Sequence, residues 1–256
     1  VTATGVDALL PLLVSDPGRP RLTWYGGDGE RVELSGAVLV NWVHKTANLL
    51  VDELDGGPGT VLALDLPPHW RTLVWALAAW RTGTTVAPGD ATAGGGVDVL
   101  VTDRPVAGGD GAEGRAGALV VAQPLPALAR RWDGPLPVGV LDAGPAVMGS
   151  GDALGWVPPA EPARPALLPD GPTFADLPAA ATAARPGAPR DRVLVRPGTA
   201  RDAAATTALL LAALGVWADG GSLVLLVPGA DAATRDDALD RLVAAERVDL
   251  VVDLPR

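Results

Sequence analysis

Apolar and polar positions along the chain repeat with two distinct periods, and the changes from one to the other mark the elements. Thr23, Trp24 and Tyr25 form a β-prone run, Gly26-Gly27-Asp28-Gly29 supplies residues that tolerate positive φ, and Arg31 to Leu34 resumes the run, which predicts a hairpin. Ser35 then stands where an N-cap belongs, and Leu39, Trp42, Val43, Ala47, Leu50 and Leu54 recur at helical spacing. Asn41, His44, Lys45, Asn48 and Asp52 fall on the opposite face, and Gly56-Gly57-Pro58 ends this amphipathic helix. Thr60 to Leu64 reads as a strand, Pro67-Pro68 opens a helix to about Thr82, and Thr84 to Ala87 is strand again, so this stretch is one β-α-β unit.

Val97 to Val101 and Ala118 to Val121 read as further buried strands, separated by a Gly-rich stretch from Gly108 to Gly117. Between Asp142 and Pro172 the pattern dissolves into Gly, Pro and Ala, and no element is assigned. A weak helix over Phe174 to Ala184 leads into a loop at Arg185-Pro186-Gly187-Ala188-Pro189. The last third is regular. Val193 to Val195, Leu223 to Val227 and Val248 to Val252 are strands, and Asp202 to Trp217 and Thr234 to Glu246 are helices. Such alternation predicts an α/β fold with a largely parallel sheet covered on both faces, and the length suits one large domain or mostly parallel β-sheets flanked by helices in two packed lobes. The lobes are placed at about 1–141 and 173–256, with the irregular segment 142–172 between them, all within one domain.

Composition narrows the function. Lys plus Arg number 20 against 30 Asp plus Glu, a formal charge of −10, which argues against a nucleic-acid partner. Hydrophobic residues make up 48%, enough for a sizeable core, and no run approaches the roughly 20 apolar residues of a membrane span. The absence of cysteine removes disulfides, thiolate nucleophiles and cysteine metal sites. The apolar run Ala8 to Val14 has no basic residue before it, so a cytoplasmic protein is expected.

Single motifs yield little chemistry. Gly109-Asp110-Gly111-Ala112-Glu113-Gly114 has the spacing of a dinucleotide fingerprint, but Pro105 precedes it and a β-prone run follows, so a surface loop is expected. Lys45, the one lysine, lies on a polar helix stripe and reads as solvated. His44 and His69 are too few for a histidine metal cage, and no metal site is predicted. Ser15, Ser35, Ser150 and Ser222 all lie outside a Gly-x-Ser-x-Gly elbow; Ser35 reads as a cap and Ser150 as a turn residue. Asp236 and Asp237 suit the positive end of a helix dipole, and Trp42, Trp70, Trp80 and Trp217 suit packing. No catalytic residue is assigned, and the cofactor-binding residues stay unknown.

The order of segments carries more. Leu22-Thr23-Trp24-Tyr25, Val32-Glu33-Leu34-Ser35, Asn48-Leu49-Leu50, Gly57-Pro58-Gly59-Thr60-Val61-Leu62-Ala63-Leu64, Leu66-Pro67 and Ala78-Ala79-Trp80-Arg81-Thr82-Gly83-Thr84-Thr85-Val86-Ala87-Pro88 follow one another as in the opening of the adenylate-forming superfamily. Asp191-Arg192-Val193-Leu194, Gly220-Gly221-Ser222-Leu223-Val224-Leu225 and Glu246-Arg247-Val248-Asp249-Leu250-Val251-Val252 resemble the middle of that family's large domain. The chain thus resembles the N-terminal portion of acyl-CoA synthetases and nonribosomal peptide adenylation domains, and the fold expected of it is theirs.

That family holds ATP phosphates with a Thr/Ser/Gly loop ending in Pro-Lys-Gly, placed between the Ala118 to Val121 strand and the Phe174 helix. Here the interval contains Pro158-Pro159, Pro162, Pro165 and Pro169-Asp170-Gly171-Pro172, with no lysine and no Ser/Thr cluster. Gly83-Thr84-Thr85 belongs to the earlier strand and lacks the loop's flanking residues. Arg196-Pro197-Gly198-Thr199-Ala200 stands where the family often has a histidine or aromatic residue, and the adenine, ribose and C-terminal lysine motifs have no counterpart. The expectation is a degenerate, truncated relative without adenylation activity. It keeps a role in binding an acyl group, CoA or a nucleotide such as ATP or AMP, or in association as a homo-oligomer or with a partner protein. Two alternatives stand beside it: different chemistry on the same scaffold, using Ser150, His44, His69 or an Asp, or a half-enzyme completed by a partner chain.

Overall fold

The computed structural model describes residues 5–89, 96–105, 117–198, 201–227 and 236–254. The chain begins with α1 (Val6–Val14), β1 (Pro20–Tyr25), β2 (Arg31–Ser35), α2 (Gly36–Glu53), β3 (Val61–Asp65), α3 (Trp70–Arg81), β4 (Thr85–Pro88), β5 (Val99–Thr102) and β6 (Leu119–Ala122). It continues through β7 (Leu141–Asp142), α4 (Ala143–Gly149), α5 (Leu177–Ala184), β8 (Arg192–Arg196), α6 (Ala203–Ala218), β9 (Ser222–Leu226), α7 (Asp236–Glu246) and β10 (Leu250–Asp253). One sheet has the order β4-β3-β5-β6-β7 and is parallel throughout. The other has the order β10-β8-β9-β1-β2 and is parallel except for its terminal hairpin. This is the α/β architecture that the alternating pattern predicts.

Through β1 the hairpin joins a strand about 200 positions away. β1 lies parallel to β9, with Leu22 opposite Leu223 and Trp24 opposite Leu225. Leu22, Trp24, Val193, Val195, Leu223 and Leu225 share one pleat face and are buried in one core, which supplies the drive for that pairing. α3 touches β3 and β4 of the first sheet and β1 of the second, while α6 touches β4 and β9. The two sheets therefore share a layer of helices, and Trp75 and Trp217 are fully buried within it. α6, apolar almost all round, is suited to this position between sheets.

Local chemistry sets the helix starts. Ser35 caps α2, its Oγ accepting from the Val38 N–H at 3.4 Å. α3 does not open at Pro67-Pro68. It begins at Trp70 with His69 as cap, the imidazole Nδ1 accepting from the Arg71 N–H at 3.1 Å, while the Pro67 carbonyl accepts from Thr72 Oγ1 at 2.6 Å. The apolar run near the N-terminus folds as α1 and buries Val6, Leu9, Leu10 and Leu13.

The segment 142–172, where no element is assigned from sequence, has two parts. Asp142 caps the short α4, accepting from the Gly144 N–H at 3.0 Å. Further on, the chain runs beside β4: the Val86 N–H donates to the Ala166 carbonyl at 3.0 Å and the Leu168 N–H to the Val86 carbonyl at 2.9 Å. Thr85 Oγ1 donates to the Pro165 carbonyl at 2.7 Å, and Trp80 Nε1 to that of Ala166 at 2.8 Å. Proline-rich chain suits an outermost position, because its missing donors face away from the ladder.

Candidate functional site

Ligands of open parallel sheets gather beyond the carboxyl ends of the strands. In this molecule the carboxyl ends of β3 and β5 carry one cluster of charge. Asp65 ends β3 and Thr102 ends β5; Thr102 Oγ1 and Arg104 Nη2 each donate to the Asp65 carboxylate at 2.8 Å. The neighbouring Asp103 accepts two parallel bonds from Arg201, at 2.5 and 2.9 Å. Its carboxylate raises the Arg201 pKa. Gly89, after β4, sits at φ +60°, and a Cβ there would lie 2.0 Å from the Arg201 carbonyl oxygen. This cluster balances two carboxylates against two guanidiniums and fastens the start of α6 to the carboxyl ends of β3 and β5.

A second group lies beneath the loop that leaves β6. Arg71 is only 6% exposed, with its guanidinium 4.3 Å from the Trp70 ring centroid and 5.4 Å from that of Trp42. Its Nη2 donates to the Ala129 carbonyl at 3.3 Å, and its Nε has no hydrogen-bond partner among the described residues. Burial lowers its pKa to about 10, partly offset by Glu30. His69 is 2% exposed and stacks edge-on against Trp24 at 4.3 Å. Burial, reinforced by Arg71, holds its pKa down at about 3, so the imidazole is neutral.

The loop above these residues bounds an open cleft of about 640 Å³, lined by Leu128, Arg130, Arg131, Trp132, Asp142 and Pro145, among others. The Glu30 carboxylate pins the loop by accepting from the Ala127 N–H at 3.1 and 3.2 Å, and Asp142 accepts from the Trp132 N–H at 2.7 Å.

The residues weighed from sequence do not assemble into a reactive constellation. Ser150 Oγ donates to the Ala146 carbonyl at 3.1 Å, and neither histidine bonds to it. Burial lowers the His44 pKa, opposed by the Asp152 backbone. Ser15 Oγ donates to the Leu12 carbonyl at 2.7 Å, and Ser222 Oγ donates to the Pro20 carbonyl. The expectation of a solvated Lys45 is corrected: its side chain is 13% exposed, because the turn after α4 folds against the polar stripe of α2. Lys45 Nζ donates to the Ser150 carbonyl at 2.6 Å and pairs with Asp152 at 2.8 Å, while Asn48 Nδ2 holds the Gly151 and Ala153 carbonyls at 3.0 and 2.8 Å. The Gly109 to Gly114 motif lies outside the described residues, as does the Asp236 side chain; Asp237 is exposed at the start of α7. Among the described residues no three His, Asp or Glu side chains stand together as metal ligands, and no helix is long and apolar enough to cross a membrane.

One cluster has no signature in the sequence. Glu246, at the end of α7 and 9% exposed, accepts from Tyr25 Oη, from Arg31 Nη2 at 2.9 Å and from Arg192 Nη2, which also reaches Thr23 Oγ1 at 3.0 Å. Burial alone pushes the Glu246 carboxyl up, but the bonds from Tyr25, Arg192 and Arg31 outweigh it and bring the pKa below its ordinary value. Thr23, Tyr25 and Arg192 alternate in the pleat with the core residues, so Glu246 holds α7 to the opposite face of the sheet.

Two sheets joined through shared helices are the architecture of the N-terminal portion of acyl-CoA synthetases and adenylation domains. An acyl-CoA synthetase of Brucella canis superposes with a TM-score of 0.72 at 21% identity, over 97% of this chain and 47% of that one. The N-terminal domain of FACL13 from Mycobacterium tuberculosis gives 0.67 at 14% identity, over 96% and 61%. The chain thus spans about half the length of the Brucella synthetase, and at these identities the likeness is one of fold. No family model matches the chain. It belongs to the TIGR03089 family: a TIGR03089 family protein of Mycobacterium tuberculosis is 35% identical over 254 residues, covering 94% of this chain and 95% of that protein.

Proposed function

We propose that the protein is a synthetase-like binding protein that does not activate carboxylic acids with ATP by itself, and that binds an acyl, CoA or nucleotide ligand beyond the carboxyl ends of its strands. The observation that carries this reading is the use made of the interval between β6 and α5. Phosphoryl chemistry needs preorganised cationic and hydrogen-bonding groups on the triphosphate. In that interval the backbone flanks β4, no lysine is present, and the chain's lysine is engaged by Ser150 and Asp152. These residues do not fit a triphosphate cradle, and the reading includes degeneracy of the ATP motifs. A cytoplasmic location is part of the proposal and is checked by cell fractionation.

Calorimetry with AMP, ATP and an acyl-CoA tests the binding half; heat and a thermal shift with at least one of them are expected. A pyrophosphate-release assay with ATP and a carboxylic acid tests the other half. Release by the purified protein alone overturns the reading.

A further inference from the structure

Each sheet has two outer strands, and three of these four are guarded against further pairing. β4 is flanked by the proline-rich chain through Ala166 and Leu168, β7 is only two residues long, and β2 presents Arg31 and Glu33, exposed and paired with each other. β10 has none of these guards. It holds no proline, its register against β8 runs without a bulge over Leu250–Asp253, and among the described residues nothing pairs with its other side. Leu250, Val251 and Val252 are half-buried, whereas the central residues of β8 and β9 are buried.

The open edge is self-complementary. The Asp249 N–H donates inward to the Arg192 carbonyl at 2.9 Å, and because amide directions alternate along a strand, the N–H and C=O groups of Leu250 and Val252 point outward. In an antiparallel pair centred on Val251, Leu250 of one copy and Val252 of another exchange both bonds on each side of a twofold axis. Val251 then meets its own counterpart at the position where side chains of facing strands approach most closely. The same register matches charge. It sets Asp249 of one copy opposite Asp253 of the other, and Asp253 is already held by Arg196 at 2.6 Å. Arg247, exposed and in no ion pair among the described residues, stands two residues before Asp249 and so diagonal to Asp253 of the other copy. Each end of the paired edge thus draws two carboxylates and two guanidiniums from the two copies together.

We propose that a second copy of this chain pairs with the first edge to edge at β10, joining their two five-stranded sheets into one continuous sheet. The contact is small, so the expected dimer is one that dissociates on dilution. This surface belongs to the second sheet and makes no use of the ligand reading above.

Sedimentation equilibrium of the whole chain tests it. The mass is expected to rise from 25.9 kDa in dilute solution towards twice that value as the concentration nears the millimolar range. Hydrogen exchange followed by NMR is expected to slow several-fold with concentration at the Leu250 and Val252 amides and to stay constant along β2. Val252→Pro removes an outward N–H that the single chain does not use, and is expected to weaken association about tenfold or more. Arg247→Glu changes an exposed side chain and spares the fold, and a loss of about threefold or more is expected from it. If Val252→Pro fails to fold, Arg247→Glu and the exchange rates decide. A mass that stays at 25.9 kDa near the millimolar range overturns the surface, as does a dimer that both variants leave intact, or β10 amides whose exchange ignores concentration.

Discussion

Lys45 Nζ lies 2.6 Å from the carbonyl oxygen of Ser150 and 2.8 Å from Asp152 Oδ1, a contact that crosses more than a hundred residues of sequence. The ammonium group and Asn48 close the turn after α4 onto α2, so the polar stripe of that helix is an interface within the molecule.

Lys45→Gln should therefore destabilise the protein by roughly 1.5–3 kcal/mol, the range for hydrogen bonds to a charged group. Urea unfolding measures the loss. Limited proteolysis should cut the 148–156 segment faster in the variant, and an unchanged unfolding midpoint would show that the contact is idle.

The His69 imidazole predicts a mild-acid dependence. Its pKa is about 3 in the fold against an ordinary 6.5, so below 6.5 the unfolded chain takes up a proton that the folded one refuses. Stability is complete above about 6.5 and falls towards pH 3, by at most about 1.4 kcal/mol per pH unit from this group. His44, lowered in the same direction, adds to the slope. His69→Asn keeps a competent N-cap and should flatten unfolding free energy plotted against pH from 6.5 to 4.

Glu246 acts at lower pH. Its folded pKa lies below the ordinary 4.5, so its contribution is complete above about 4.5 and is lost as pH falls through the folded value. Glu246→Gln should cost roughly 2 kcal/mol at pH 7, moderated because Arg31 remains in contact with water, and should blunt acid unfolding below pH ~4. Urea midpoints at pH 7 and pH 3.5 give both quantities.

Gly89→Ala combines a left-handed backbone with a close approach to the Arg201 carbonyl. A loss of about 2 kcal/mol or more is expected, since neither the φ nor the contact can relax cheaply. A melting temperature equal to the parent's would refute the packing described at that joint.

Periodicity made most of the scaffold legible. α2, α6 and the strands β3, β5, β8 and β9 appear within a few residues of where apolar spacing predicts them, because each buries a face whose period is written locally. α4 was illegible: Ala143-Gly144-Pro145-Ala146-Val147-Met148-Gly149 has weak helix propensity, and its helix depends on the Asp142 cap and on packing. The contacts that define the candidate site are legible least. Arg71 sits within an otherwise apolar helix pattern, and that mismatch is the one signal pointing to it. Glu246 meets Tyr25 across more than two hundred residues, a pairing that no local spacing encodes.

The position of the first hairpin also bears on how the protein is made. β1 reaches the ribosome's exit long before β9, its neighbour in the finished sheet, and at about 5–20 residues per second the delay is on the order of ten to forty seconds. Throughout that interval Leu22 and Trp24 belong to an unfinished edge. Until the last third of the chain emerges, the apolar face of the hairpin stands without the strand that completes its sheet.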